Sequence, residues 1–262
     1  MSLVETQLQK PHGLLVTPDP GDGGTGVLIL SGSSGRVEEQ RARLLAAHGV
    51  TALSIQWWGD EGQPPGICEL PLETFISALD RLAQTCGRVV VIGSSYGAVA
   101  SLLVGVHDRR VDAVVAFAPS HVVWANVGAG HDGQLQPCRS MFTLAGEPIP
   151  FVPHDDSWEP DCDPPAYRVA ICRACGRMPT TLRQRSSRSR RSAATSFSSL
   201  AGTTRSGPVS LVTHPEAGHR TVLPGEAPVQ GGQQMLRGGS PEADAQLGAM
   251  AWPEILHALR LG

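Results

Sequence analysis

Aromatic residues are scarce in this chain: five Trp, five Phe and two Tyr make up 5% of its 262 residues. Binding of single-stranded nucleic acid by base stacking needs repeated aromatic platforms, and the composition argues against it. Charge is also sparse at 17%, and a formal net charge of −3 provides no field to attract a phosphate backbone or an anionic membrane. No stretch approaches the ~18 uninterrupted apolar residues of a spanning helix. The N-terminus shows no basic segment followed by an apolar one and a cleavage site. The expectation is therefore a cytoplasmic protein with no nucleic-acid partner and no membrane partner. The six cysteines, Cys68, Cys86, Cys138, Cys162, Cys172 and Cys175, are too dispersed for a disulfide framework. Cys172 and Cys175 spell CxxC without a second pair at zinc spacing, so no metal is expected, and no cofactor.

What is present is a hydrophobic fraction of 41% on a chain long enough for one large domain. Apolar runs rich in β-branched residues alternate with helical patterns, the signature of an α/β fold with a mainly parallel sheet. Strands are expected at Gly26–Ser31, Val50–Ile55, Arg88–Ile92, Val111–Ala118 and Ser210–Thr213. Helices are expected at Val37–His48, with Leu44, Leu45 and Ala46 on its apolar side, at Leu72–Cys86, at Ala98–Val106, and at Ala243–Leu261 with a break at Pro253. The domain reading is a single unit over 1–262 in which 169–207 is irregular.

Gly93-Ser94-Ser95-Tyr96-Gly97 matches G-x-S-x-G, with a strand before it and an Ala-rich helix after it. A nucleophile elbow has that context: the turn lifts the serine above the sheet edge, and glycines at the outer positions let backbones approach closely. Ser95 is the expected nucleophile, and Ser94 is one place too early. The backbone N–H of Tyr96 is the expected first oxyanion donor, with the second from Gly32 or Ser33 in the turn after the Gly26–Ser31 strand. A serine hydroxyl needs a base to take its proton. Among nine histidines, His219 follows the last strand and precedes the closing helix, where an α/β-hydrolase carries its base. His214, at a strand end, and His121, in a loop, read as structural or surface residues. Trp57, Trp58, Tyr96 and Trp124 follow strand ends and are candidates for the wall of an acyl pocket.

Beyond the elbow, GVLILSGSSG, RARLLAAHGVTAL, the Trp57-Trp58 pair, LPLETFISALDRL, VVVIGSSYGAVASLL, VDAVVAFAPSHVVW and PEAGHRTVLPGE occur in the order of a known family. Over Gly26–Tyr167 and Val209–Leu261 the chain resembles the acyl-CoA thioesterase and bile-acid-CoA:amino-acid N-acyltransferase C-terminal domain. That resemblance implies an α/β-hydrolase fold and cleavage of acyl thioesters through an acyl-serine. Acyltransferase members use cysteine as nucleophile, so serine at position 95 favours hydrolysis over transfer to an amine. The extra N-terminal β-domain of eukaryotic members is expected to be absent, since about 25 residues precede the first core strand.

The resemblance also implies a catalytic aspartate in a turn after the penultimate strand, yet Val169–Pro208 contains neither Asp nor Glu. Its Arg173, Arg177, Arg183, Arg185, Arg188, Arg190 and Arg191 lie among serines without periodicity, which fits a solvated loop or a basic recognition run. A third reading accounts for more. Joining the last base of each codon to the first two of the next, with permitted codons, converts Ser186–Pro208 to IPVEAIRGDVVLLAGGHDQVWP. This is an apolar strand followed by a family-like acid turn, with the aspartate at the junction of the Thr203 and Thr204 codons. The segment is expected to be translated out of frame, so its arginines imply no partner. The leading functional expectation is a serine hydrolase acting on a small-molecule acyl thioester, impaired by the lost acid. A carboxylester or dienelactone-type hydrolase and a catalytically silent binding module stay open, as does the oligomeric state.

Overall fold

The computed structural model describes residues 2–21, 24–135, 138–154, 199–202, 209–228 and 237–261. Its centre is the run of buried β-branched and leucine residues that the sequence marks as strands. These are β3 (Thr25–Leu30), β4 (Thr51–Ile55), β6 (Arg88–Ser94) and β7 (Val111–Phe117), all parallel in the spatial order β4-β3-β6-β7. Side chains alternate across a strand, so Val27 and Ile29 face one layer while Leu28 and Leu30 face the other. Helices α1 (Glu39–Ala47) and α4 (Pro241–Leu259) cover the first face. Helices α2 (Leu72–Ala83) and α3 (Tyr96–His107) cover the second. Burial on both faces explains why these strands read as continuous apolar runs.

Antiparallel strands flank the parallel core on both sides. On one side β1 (Ser2–Gln9) and β2 (His12–Asp19) form a hairpin that joins through β2 to β4. The sequence pattern marks no strands there. Only Leu8 of β1 is buried, so the apolar alternation that betrays a strand is missing from it. On the other side β10 (Ser199–Gly202) pairs antiparallel with both β7 and β11 (Val209–Val212). Short strands β5 (Leu70–Pro71), β8 (Phe142–Leu144) and β9 (Glu147–Pro148) make a separate small sheet. The full order β1-β2-β4-β3-β6-β7-β10-β11, with helices on both faces, is an α/β-hydrolase arrangement.

Two expectations change. Pro253 does not break the closing helix, because α4 runs through it. Leu247, Ala251, Ile255 and Leu259 recur every four residues and are buried, and that packing outweighs the lost hydrogen bond. The irregular segment 169–207 contains one strand, since four of its residues form β10. The rest of it, including Cys172, Cys175, Thr203, Thr204 and the arginine run, lies outside the described residues. Among the described residues no group of three potential metal ligands occurs, and no helix is long and apolar enough to cross a membrane.

Candidate active site

The elbow forms because two glycines admit backbone where no side chain fits. A Cβ on Gly93 would collide with the Gly97 carbonyl, and one on Gly97 with the Ser31 and Leu30 carbonyls. Between them Ser95 takes φ 57° and ψ −118°, a strained conformation for a residue with a Cβ. Its N–H donates to the Phe117 carbonyl at 2.8 Å, tying the elbow to the end of β7. Tyr96 opens α3, so its backbone N–H belongs to the helix's first turn, where the dipole favours an anion. Gly32 stands directly against the serine: a Cβ there would lie 3.1 Å from Ser95 Cβ and 3.8 Å from Oγ. Ser33 follows it in the turn closed by the Gly35 N–H donating to the Gly32 carbonyl at 3.1 Å.

His219 Nε2 lies 2.9 Å from Ser95 Oγ. The backbone on both sides of the ring is fixed. The His219 N–H donates to the Arg237 carbonyl at 2.9 Å, and the Gly218 N–H donates to Asp244 Oδ1 at 2.6 Å. Gly218 can be nothing larger, since a Cβ there would strike the Gly238 carbonyl. Burial pushes the imidazole down to about 4, and the nearby Arg237 and Arg220 guanidinium groups push the same way. The ring is therefore neutral at pH 7 and able to accept the serine proton, but the imidazolium it becomes lies in unfavourable surroundings.

Asp244, in the first turn of α4, spends Oδ1 on the Gly218 N–H. Burial raises its carboxyl above the ordinary range, against the lowering by that hydrogen bond and by Arg220. Glu216 is exposed, and its backbone N–H donates to His214 Nδ1 at 3.2 Å. The expected acid at Thr203 or Thr204 lies outside the described residues. The strand before it, β10, runs opposite to β7: Ser199 pairs with Phe117, beside the elbow, and Gly202 with Val114, toward the far end of the sheet.

The tryptophans divide. Trp57 is 1% exposed, donates Nε1–H to Ser31 Oγ at 3.3 Å and packs edge-on against Phe75, so it is a core residue and not a pocket wall. Trp58 is half-buried, its indole covering the Cα of Gly35. Trp124 is buried, donates to Ser120 Oγ at 2.8 Å and stacks on His154. His121 is exposed. A cavity of about 330 Å³ lined by Leu15, Thr17, Thr51, Arg81, Leu82 and Thr85 opens beside the start of β4, at the opposite end of the sheet from Ser95.

The sequence reading missed one feature beside the dyad. Arg41 of α1 is buried and donates to both carboxylate oxygens of Glu226, at 2.5 and 2.8 Å. It also donates to Ser94 Oγ at 3.2 Å and to the Thr221 carbonyl at 3.4 Å. An arginine four residues before Leu45, on the apolar side of α1, was the available signal.

No protein-family model matches the chain, and no curated protein matches it. Solved structures do. A cold-adapted esterase from an Arctic intertidal metagenomic library is 21% identical over 42% of this chain and 54% of that one, with a TM-score of 0.30. A putative dienelactone hydrolase from Klebsiella pneumoniae is 18% identical over 44% of this chain and 59% of that one, with a TM-score of 0.37. A structure from work on two metagenome-derived lipolytic enzymes is 19% identical over 44% of this chain and 48% of that one, with a TM-score of 0.34. The chain spans about half the length of the structures it matches.

Proposed function

We propose that this protein is a serine hydrolase that cleaves acyl thioesters through an acyl-enzyme on Ser95. The observation that carries the reading is the 2.9 Å approach of His219 Nε2 to a serine hydroxyl held at a strand-to-helix elbow. His219 takes the Ser95 proton as Oγ bonds to the acyl carbon. Gly32 or Ser33 and Tyr96 offer backbone N–H groups to the oxyanion, and the C–S bond breaks as the thiol leaves with the proton from His219. Water then repeats the sequence, releasing the acid and the free serine. The thioester preference is supported by the family resemblance, and serine at position 95 supports hydrolysis over transfer to an amine. An oxyester is attacked by the same steps, so the dyad alone serves both substrates. Trp58 and Trp124 remain the candidates for the acyl wall.

A fluorophosphonate probe on the purified chain tests the chemistry, and paired acyl-CoA and p-nitrophenyl ester substrates test the leaving group. Stoichiometric labelling of Ser95 is expected, with thioester cleaved in preference to oxyester of the same acyl length. A folded sample that takes no label would overturn the hydrolase reading in favour of a binding module.

A further inference from the structure

We propose that the buried Arg41–Glu226 ion pair is a positioning device that holds the nucleophile elbow and the histidine loop in register. The proposal rests on the hydrolase reading for its consequence, not for its geometry. Three chain segments meet at this one guanidinium. Arg41 comes from α1, Ser94 immediately precedes the nucleophile, and Thr221 and Glu226 follow the base. Arg41 grips Glu226 with two parallel N–H donors, at 2.5 and 2.8 Å, which fixes orientation as well as distance. Its other terminal nitrogen reaches Ser94 Oγ at 3.2 Å, and its Cζ lies 5.0 Å from the centroid of the Phe117 ring, whose residue's carbonyl accepts the Ser95 N–H. Glu226 Oε2 also accepts from the Leu223 N–H at 2.9 Å, so the carboxylate shapes the loop that follows His219.

The side chains are only 9% and 7% exposed. Burial works against the Arg41 charge, but Glu226 more than restores it, so the guanidinium stays protonated. A buried pair of this kind typically gives no more stability than well-packed apolar residues of the same volume. What it supplies that apolar residues cannot is a fixed set of directed bonds between α1, the elbow and the histidine loop. A serine and a base supplied by loops so distant in sequence need such a tie, because misplacement by about 1 Å can cost about 100-fold in rate.

The test compares the wild type with Arg41→Met, Glu226→Leu and the double variant Arg41→Met/Glu226→Leu. Three quantities are measured: thermal midpoint, the rate constant for fluorophosphonate labelling of Ser95, and the NMR titration of the His219 ring. Each single variant strands a buried charge and is expected to melt lower, whereas the double variant is expected to melt near the wild type. At that native stability the double variant is expected to label about 10-fold or more slowly. Its His219 titration is expected to move from about 4 toward the ordinary 6.5 as the loop loosens. A double variant of native stability with unchanged labelling and titration would overturn the proposal. If the wild type itself takes no label, the hydrolase reading fails, and the His219 titration still decides the positioning role. If the double variant does not fold, Ser94→Ala removes one directed bond at little cost in volume. A fall in labelling of about threefold, with the titration shifted upward, is then expected, and no change in either overturns the proposal.

Discussion

Ser95 and His219 are separated by 124 residues and meet with Oγ and Nε2 2.9 Å apart. Neither position is set by the side chains alone. Ser95 hangs from the Phe117 carbonyl at the end of β7, and His219 from the Arg237 carbonyl just before α4. The dyad therefore forms where four backbone segments converge at the C-terminal edge of the parallel strands.

The strain at Ser95 separates activity from stability. Ser95→Ala removes the nucleophile and keeps the unfavourable φ of 57°, so labelling and turnover should vanish while the melting curve barely moves. Ser95→Gly also removes the nucleophile but relieves the strain, and should be more stable than Ser95→Ala by about 1 kcal/mol. Urea titrations of the two variants measure the difference. Equal midpoints would show that the elbow conformation is not strained in the folded protein.

The histidine sets a pH dependence of definite sign. With the ring held at about 4, Ser95 labelling should be flat from neutral pH down to about pH 5 and fall only as the ring protonates near 4. An ordinary histidine base would lose activity near 6.5. The unfolded chain binds the proton at that ordinary value, so between pH 6.5 and 4 it holds more protons than the folded chain does. This contribution to stability is complete above pH 6.5 and is lost as pH falls through that window. Labelling rate and urea midpoint against pH read the two effects separately. A labelling profile breaking near 6.5 would show that the imidazole is solvated.

Asp244 is expected to act as a hydrogen-bond acceptor for the loop and not as the acid of a triad. Its Oδ1 receives the Gly218 N–H, a bond that an asparagine oxygen also accepts. Asp244→Asn should therefore label Ser95 within a few-fold of the wild type. Asp244→Ala, which leaves that N–H unsatisfied, should lower stability by about 1–3 kcal/mol and slow labelling. Loss of a true triad carboxylate costs about 10⁴-fold even when asparagine replaces it. A loss of that size in Asp244→Asn would make Asp244 the missing acid.

Local constraints explain what was legible in the sequence. The elbow could be read because its two glycines stand at fixed spacing about the serine, Gly93 dictated by the Gly97 carbonyl in the same turn and Gly97 by the end of β3, and the parallel strands because burial on both faces leaves unbroken apolar runs. His219 could be read from chain order alone. Arg41 and Glu226 could not be paired, since 185 residues separate them and no periodicity links a helix to a distant loop. Trp57 and Trp58 looked equivalent as neighbours, but adjacent residues point to opposite sides of an extended chain. One entered the core and the other turned toward Gly35. The hairpin β1–β2 escaped notice because its outer strand is largely solvent-exposed.

Val169–Pro208 encodes no carboxylate where the family resemblance implies the catalytic acid. Where no carboxylate from elsewhere in the chain takes the place of that acid, the elbow and the oxyanion donors remain and acylation survives at a reduced rate. The expected loss is about 10⁴-fold, or about 5 kcal/mol at 1.36 kcal/mol per factor of ten. This chain should accordingly hydrolyse activated thioesters slowly. Thr203→Asp or Thr204→Asp alone should rescue little, because β10 runs antiparallel to β7 and carries its last residue, Gly202, to Val114, away from Ser95. A chain translated in the alternative phase across this region replaces that strand and its turn together. It should recover several orders of magnitude in thioester turnover if the apolar run VVLLAGG pairs parallel with β7 and delivers the aspartate to the His219 edge. Reading the DNA across codons 165 to 210 checks the premise, since codons incompatible with the alternative string would remove it. Turnover by the present chain at ordinary enzyme rates of about 1–10³ s⁻¹ would show instead that another carboxylate already serves His219.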